Sequence, residues 1–222
     1  MSVVSANNET SRFNMIEQQI RTWEVLDPTV LQLLSELPRE HFVPQAYQGL
    51  AFADLEIPIG HGAKMLSPKL EGRMVQALGL QKTDRVLHIG TGTGYLTALL
   101  AKLSKHVTSV EIEPALKNLA EQNLLAEGIV NVTLEVGDGA RGWADHVPYD
   151  VIVFGGSSPV EPKDVREQLA VGGRMLIVIG EAPVMRATLI TRVSEIAFRE
   201  DILFETCIDA LKNAEKAPAF TF

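Results

Sequence analysis

Residues 86–103 read VLHIGTGTGYLTALLAKL: an apolar strand-like run, a turn with glycine at positions 90, 92 and 94, and an amphipathic stretch from Tyr95 onward. A buried strand that passes through a glycine turn into a helix is the basic unit of a parallel α/β sheet, because glycine tolerates positive φ and brings bare main chain to the strand end. Outward from this unit the pattern repeats. LEGRMVQALGL predicts a helix before it. After it HVTSVEI predicts a strand, PALKNLAEQNLLAEG a helix, and NVTLEVGD, YDVIVFGG and RMLIVIG further strands, with PKDVREQLA as an intervening helix. Several strands are apolar on both faces, which predicts a doubly wound, mostly parallel sheet covered on each side. RATLITRVSEIAFREDILFETCI predicts a closing pair of strands.

Toward the N-terminus, Phe13, Ile16, Ile20, Trp23, Leu31, Leu34 and Leu37 recur at helical spacing, interrupted at Asp27-Pro28. Two helices are expected, the second with Asp27 as N-cap and Pro28 at its first position. The segment PREHFVPQAYQGLAFADLEIPIGHGAKMLSP has no steady period and predicts a long ordered loop, of the kind that carries function. A chain of 222 residues with 46% hydrophobic content suits one well-buried domain. Residues 1–12 are expected to be flexible, 13–68 to form the N-terminal helices and loop, 69–211 the α/β core, and 212–222 a polar-to-aromatic tail.

The net charge of −8 argues against nucleic acid or an anionic membrane as the main partner. The opening MSVVSANNETSRFNMIEQQI lacks the basic-then-apolar order of a secretory signal, and no apolar run approaches the roughly 20 residues of a membrane-spanning helix. With Cys207 as the single cysteine, a cytoplasmic location is expected. The five histidines, at 41, 61, 88, 106 and 146, show no metal-ligand spacing, and no metal site is predicted. GGSSP is not the G-x-S-x-G elbow of a serine hydrolase.

The dinucleotide fingerprint G-x-G-x-x-G fits poorly, since Tyr95 stands where its third glycine would fall, and no G-K-[ST] follows to cradle a triphosphate. A more compact nucleoside derivative is implied. The next strand ends at Glu111, whose carboxylate can accept hydrogen bonds from both ribose hydroxyls and would repel a 2′-phosphate. The strand after that ends in GDG, where Asp138 can accept a bond from an adenine amine. A glycine turn, a solvated strand-end carboxylate or a GDG turn is each unremarkable alone; in this order the three converge on one crevice.

Together these stations resemble the S-adenosylmethionine site of the Rossmann-like methyltransferases. The resemblance narrows outside the turn. MIEQQIRTWEVLDPTVLQLLSELPREHFVP, LEIPIGHGAKMLSP and GDGARGWADHVPYDVIVFGGSSPVEPKDVREQLAVGGRMLIVIG are similar to the protein-L-isoaspartate O-methyltransferase family, as is FREDILFE, and the likeness runs from about Met15 to Leu211. It implies a Rossmann-like methyltransferase fold with N-terminal helices. It implies methyl transfer from S-adenosylmethionine, leaving S-adenosylhomocysteine, to a carboxylate at isoaspartyl positions of damaged proteins or peptides, whose ester then collapses to a succinimide. For the cofactor it implies His88, Gly90, Thr91, Gly92, Thr93, Gly94, Tyr95, Glu111, Ile112, Asp138 and Gly139; for catalysis, Ser67.

The chain departs from the family pattern in the substrate loop. The family's Gly-Tyr-Gly-Gln-Thr-Ile-Ser run, then a small residue and Pro, reads here Gly60-His61-Gly62-Ala63-Lys64-Met65-Leu66-Ser67-Pro68. Ser67 takes the serine's role only if the loop shifts; otherwise Leu66 holds that station and the hydroxyl is missing. Lys64 stands in place of threonine, to meet a carboxylate substrate or to point to solvent. His88 replaces an acidic residue that favours the methionine ammonium, and can serve only as a neutral acceptor or as a strand-end histidine satisfied by backbone. Phe154 and Ser157-Ser158 alter the run after the fourth strand of the core. Two alternatives stand beside the repair activity: the same cofactor with another carboxylate or small-molecule acceptor, and a protein that binds the adenosyl group without turnover.

Overall fold

The computed structural model describes residues 3–216. Seven strands form one sheet in the order β5-β4-β3-β6-β7-β8-β9: β3 (Arg85–Ile89), β4 (His106–Glu111), β5 (Val132–Val136), β6 (Tyr149–Ser158), β7 (Leu169–Glu181), β8 (Val184–Arg192) and β9 (Phe198–Thr206). The five from β5 to β7 are parallel, and β8 and β9 close the sheet antiparallel, as the last two predicted strands require. From β3 the chain builds outward through β4 to β5, then returns past β3 to β6. That reversal is the switch point at which open α/β sheets leave a crevice beyond their strand ends.

Alternation along the strands sorts side chains into two cores. Val86, Val107, Val151 and Leu176 face a large core shared with the helices, while Leu87, Ile89, Val110, Ile152, Phe154 and Met175 face a smaller one. The helices α2 (Pro28–Glu36), α3 (Pro68–Leu78), α4 (Tyr95–Leu103) and α5 (Pro114–Ala126) all contribute to the large core. The opposite face is covered more thinly than expected, by the one-turn α6 (Lys163–Arg166) and by the loop carrying Trp143. The predicted helix PKDVREQLA is therefore cut short. Leu169 already pairs with Tyr149 in β7, and a bulge follows at Gly173, where a Cβ would lie 3.0 Å from the carbonyl oxygens of Tyr149 and Asp150.

Local signals set the helix ends. Asp27 caps α2, its Oδ1 accepting from the amides of Thr29 (2.8 Å) and Val30 (3.2 Å), with Pro28 next in line. Gly79, at φ 52°, ends α3. The first helix, α1 (Val3–Met15), takes in most of the stretch expected to be flexible. No apolar period marks it; polar anchors hold its end instead, Arg12 donating to Glu40 at 2.6 Å and to the Ser35 carbonyl at 3.3 Å. The predicted loop of residues 38–68 is ordered as two 3₁₀ turns and a hairpin of β1 (Ile57–Gly60) and β2 (Ala63–Met65), turned by three successive residues at positive φ, Gly60, His61 and Gly62. The tail is followed to Lys216; residues 217–222, like residues 1–2, lie outside the described residues.

Candidate active site

Three segments meet over the ends of β3, β4 and β6. The glycine turn comes from below, the β1–β2 hairpin closes one side, and a strap of residues 207–213 closes the other. The strap is stitched to the end of β6: the Ser157 amide donates to the Asp209 carbonyl (3.0 Å), the Leu211 amide to the Ser157 carbonyl (2.9 Å), and the Ser157 hydroxyl to the Ile208 carbonyl (3.1 Å). Between them lies a cleft bordered by Gly90, Gly92, Glu111, Ile112, Asp138 and Gly139 of the expected site, together with Ile59, Lys64, Glu113, Asp209 and Leu211.

Main chain is exposed to the cleft where β3 and β6 separate. Gly90 has φ 91°, which a side chain would strain, and a Cβ on Gly155 would sit 2.6 Å from the Gly90 carbonyl oxygen, so Gly155 has no room for one. Gly94 acts differently from its two neighbours. It caps α4 at φ 92°, its missing Cβ lets Ala120 of α5 approach, and it borders neither the cleft nor the chamber beside it.

Two carboxylates are aimed before any ligand arrives. Glu111 is buried; Oε2 accepts from the Gly92 amide (2.9 Å) and Oε1 from the Glu113 amide (3.0 Å). A carboxylate has about four lone-pair sites, so each oxygen keeps one for a ligand hydroxyl. Asp138 is held likewise, by the Ala140 amide (3.0 Å) and by Asn213 Nδ2 (2.9 Å) from the strap.

Beyond the turn the cleft opens into a smaller chamber, bordered by Met65, Leu66, Glu71, His88, Thr91, Thr93, Tyr95 and Leu96. His88 is 1% exposed. Its Nδ1 sits 2.9 Å from Thr97 Oγ1 and 3.2 Å from Ser109 Oγ, so hydroxyls rather than backbone groups satisfy it, and its Nε2 has no partner. Burial pushes the ring's pKa down to about 3, so it is neutral at pH 7. In the tautomer whose Nδ1–H donates to a hydroxyl, Nε2 would present a bare lone pair on the side of Gly155. Thr91 is turned away to Ser109 Oγ, 2.7 Å distant, and Thr93 supplies its carbonyl to Asn123. Tyr95 packs edge-on against Phe42, at 5.4 Å, beneath the Arg39 guanidinium.

The chamber wall rests on a pair absent from the sequence reading. Arg39, fully buried, ion-pairs with buried Glu71, and donates to the carbonyls of Ala51 (2.9 Å) and Leu66 (2.7 Å). Burial lifts the Glu71 carboxyl above its ordinary range, to about 7, outweighing the opposite pull of Arg39. Through the Leu66 carbonyl this pair fixes the end of the hairpin loop. Leu66 faces the chamber, whereas Ser67 borders a separate cavity with Trp23, Lys69, Arg73 and Phe204, and its hydroxyl makes no capping bond to α3. Arg39 and Glu71 are not set apart in the sequence, since Arg39 adjoins Glu40 and Glu71 lies between Lys69 and Arg73; nor is the strap.

The sequence model of a family described as Protein-L-isoaspartate(D-aspartate) O-methyltransferase (PCMT) matches residues 10–207. The chain belongs to this family. It is 41% identical over 184 residues to protein-L-isoaspartate O-methyltransferase 1 of Rhodopseudomonas palustris (strain HaA2), covering 82% of this chain and 75% of that one. It is 45% identical over 159 residues to the protein-L-isoaspartate O-methyltransferase of Anaeromyxobacter dehalogenans (strain 2CP-C), covering 71% and 76%. A solved protein-L-isoaspartate O-methyltransferase superposes with a TM-score of 0.78 at 26% identity, over 90% of this chain and 65% of that one, so this chain spans about two thirds of that structure's length. A Plasmodium falciparum structure in complex with S-adenosyl-L-homocysteine shares the fold, with a TM-score of 0.74 at 20% identity. The Rossmann-like fold expected from the glycine turn is thus the fold of the protein-L-isoaspartate O-methyltransferase family.

Proposed function

We propose that this chain transfers the methyl group of S-adenosylmethionine to the carboxylate of L-isoaspartyl residues in damaged proteins or peptides. Membership of the protein-L-isoaspartate O-methyltransferase family over residues 10–207 supports the reaction class. The cleft suits the cofactor. Its glycines admit a flat base and a sugar, Glu111 keeps lone pairs for two ribose hydroxyls, and Asp138 lies at the next strand end for an adenine amine. His88 Nε2, buried and unpartnered, offers the methionine ammonium an uncharged acceptor. Thr91, Thr93 and Tyr95 would shape the wall beside the sulfonium, and Ile112 and Gly139 the adenine slot.

The observation that carries the choice of acceptor is that, among the described residues, none bordering the chamber is a ready base. Burial leaves His88 too weak to take a proton near neutral pH, and Glu71 is tied to Arg39. A hydroxyl or amine acceptor needs its proton removed; a carboxylate arrives already ionised. Its oxygen attacks the methyl carbon, the sulfur keeps the electrons of the breaking C–S bond, and two opposite charges disappear. The residues of this chain then supply alignment and exclusion of water rather than proton transfer. Ser67, outside the chamber, would act only after a shift of the loop.

The test is methyl transfer from labelled S-adenosylmethionine to an isoaspartyl peptide beside its aspartyl twin. Transfer to the first alone is expected; transfer to neither rejects the reading. Leu66 in the chamber wall favours one second reading, a small carboxylic acid as acceptor, and a panel of such acids tests it. We further propose that residues 1–222 work as one domain, since the hairpin and the strap, far apart in sequence, both border the cleft, and that the single cysteine suits a cytoplasmic location.

A further inference from the structure

Among the described residues, four border both the cleft and the chamber: Gly90, Gly92, Gly155 and Lys64. Three have no side chain, so Lys64 is the one side chain at the passage from one to the other. From the second strand of the hairpin its Nζ reaches Asp209 Oδ2 of the strap at 2.9 Å and Glu56 Oε2 at 3.5 Å, with the side chain 42% exposed. No other cation among the described residues borders the chamber. Arg39 spends its donors on Glu71, Ala51 and Leu66, and His88 is neutral.

We infer that Lys64 is the specificity-determining residue for the acceptor, exchanging Asp209 for the incoming carboxylate and so fixing the oxygen that faces the methyl donor. The inference rests on the carboxylate acceptor proposed above. An ammonium on a flexible stem can swing between two acceptors, and Asp209, with 60% of its side chain exposed, returns to water at little cost when released. Methylation turns the bound carboxylate into a neutral ester. The charge that held it to Lys64 is gone, and the lysine returns to Asp209, so the ion pair grips substrate and lets product go. A lysine that merely latches the hairpin to the strap would have no such preference.

Calorimetry separates the two roles when an isoaspartyl peptide is titrated into protein saturated with S-adenosylhomocysteine. Lys64→Met should weaken the peptide about tenfold, the scale of a partly exposed charge-assisted hydrogen bond, and Lys64→Arg should restore most of it. Asp209→Asn should tighten the peptide about threefold by freeing the lysine. The affinity of S-adenosylhomocysteine is measured separately for each variant, because Lys64 and Asp209 also border the cofactor cleft, and each titration is run at saturation. If Lys64→Met and Asp209→Asn shift peptide affinity in the same direction, Lys64 is only a latch and the inference is overturned; equal affinity in wild type and Lys64→Met overturns it as well. A wild type that binds the peptide but transfers no methyl group to it sinks the enzymatic reading while the variant comparison still decides the role of Lys64. A wild type that does not bind the peptide overturns both.

Discussion

Replacing Arg39 by methionine would remove the cation that faces Glu71 at the base of the chamber. Both side chains are buried, at 0% and 2% exposure, so water cannot take over from the guanidinium. Breaking one side of a buried pair destabilises by about 3–5 kcal/mol, because a charge is left buried without compensation. For a chain of this size that corresponds to a fall in melting temperature of roughly 6–20 °C. The damage depends on pH in a definite sense. Glu71 already has a pKa raised above its unfolded value, to about 7, and losing Arg39 raises it further. Between the ordinary carboxylate value and the raised one, the native state binds more protons than the unfolded state, so stability falls as pH rises. The variant should therefore lose more at pH 8 than at pH 6. A second change, Glu71→Leu in the same molecule, removes the stranded acid and should recover most of the loss, leaving about 1–2 kcal/mol for the Ala51 and Leu66 carbonyls that lack their donor. Urea unfolding of wild type, single and double variants at both pH values measures all three quantities. A single variant that loses less than about 1 kcal/mol, or a double variant no more stable than the single, would refute this account of the pair.

Glu111→Ala should weaken S-adenosylhomocysteine by roughly 1–3 kcal/mol, the range of hydrogen bonds to a charged group, and by more than any change in folding stability accounts for; unchanged affinity in calorimetry would place the ribose elsewhere. His88 has a folded pKa depressed to about 3 from 6.5, so its contribution to stability is complete above pH 6.5 and is lost as pH falls toward 3. The stability of wild type relative to His88→Gln should accordingly rise by about 3 kcal/mol between pH 4 and 6.5, measured by denaturant unfolding across that range; parallel curves would contradict the burial of an uncharged ring.

The strands and helices of the core were legible because each is dominated by short-range physics: apolar runs bounded by glycine and proline, and caps such as Asp27-Pro28. The three stations of the cleft were legible for the same reason, since Glu111 is the last residue of its strand, and Gly90 and Asp138 follow theirs by one and two residues. What escaped depends on distance along the chain. The strap crosses the cleft only because Ser157 offers its amide, carbonyl and hydroxyl to residues 208–211. Arg39 meets Glu71 across 32 positions. Helix α1 is held by Arg12 to Glu40 and Ser35 rather than by an apolar stripe. The shortened α6 gave way to the register of Leu169 against Tyr149, which no helical period reveals. In the substrate loop, sequence posed the alternatives of Leu66 and Ser67, and the placement of the two side chains depends on packing: Leu66 borders the chamber and Ser67 a separate cavity.

The central claim is that the glycine-walled cleft takes an adenosyl cofactor with Glu111 on its sugar, and calorimetric titration of purified protein with S-adenosylhomocysteine tests it most directly. One molecule bound per chain, saturable and weakened by Glu111→Ala, is the predicted result; absence of heat up to millimolar ligand would contradict it.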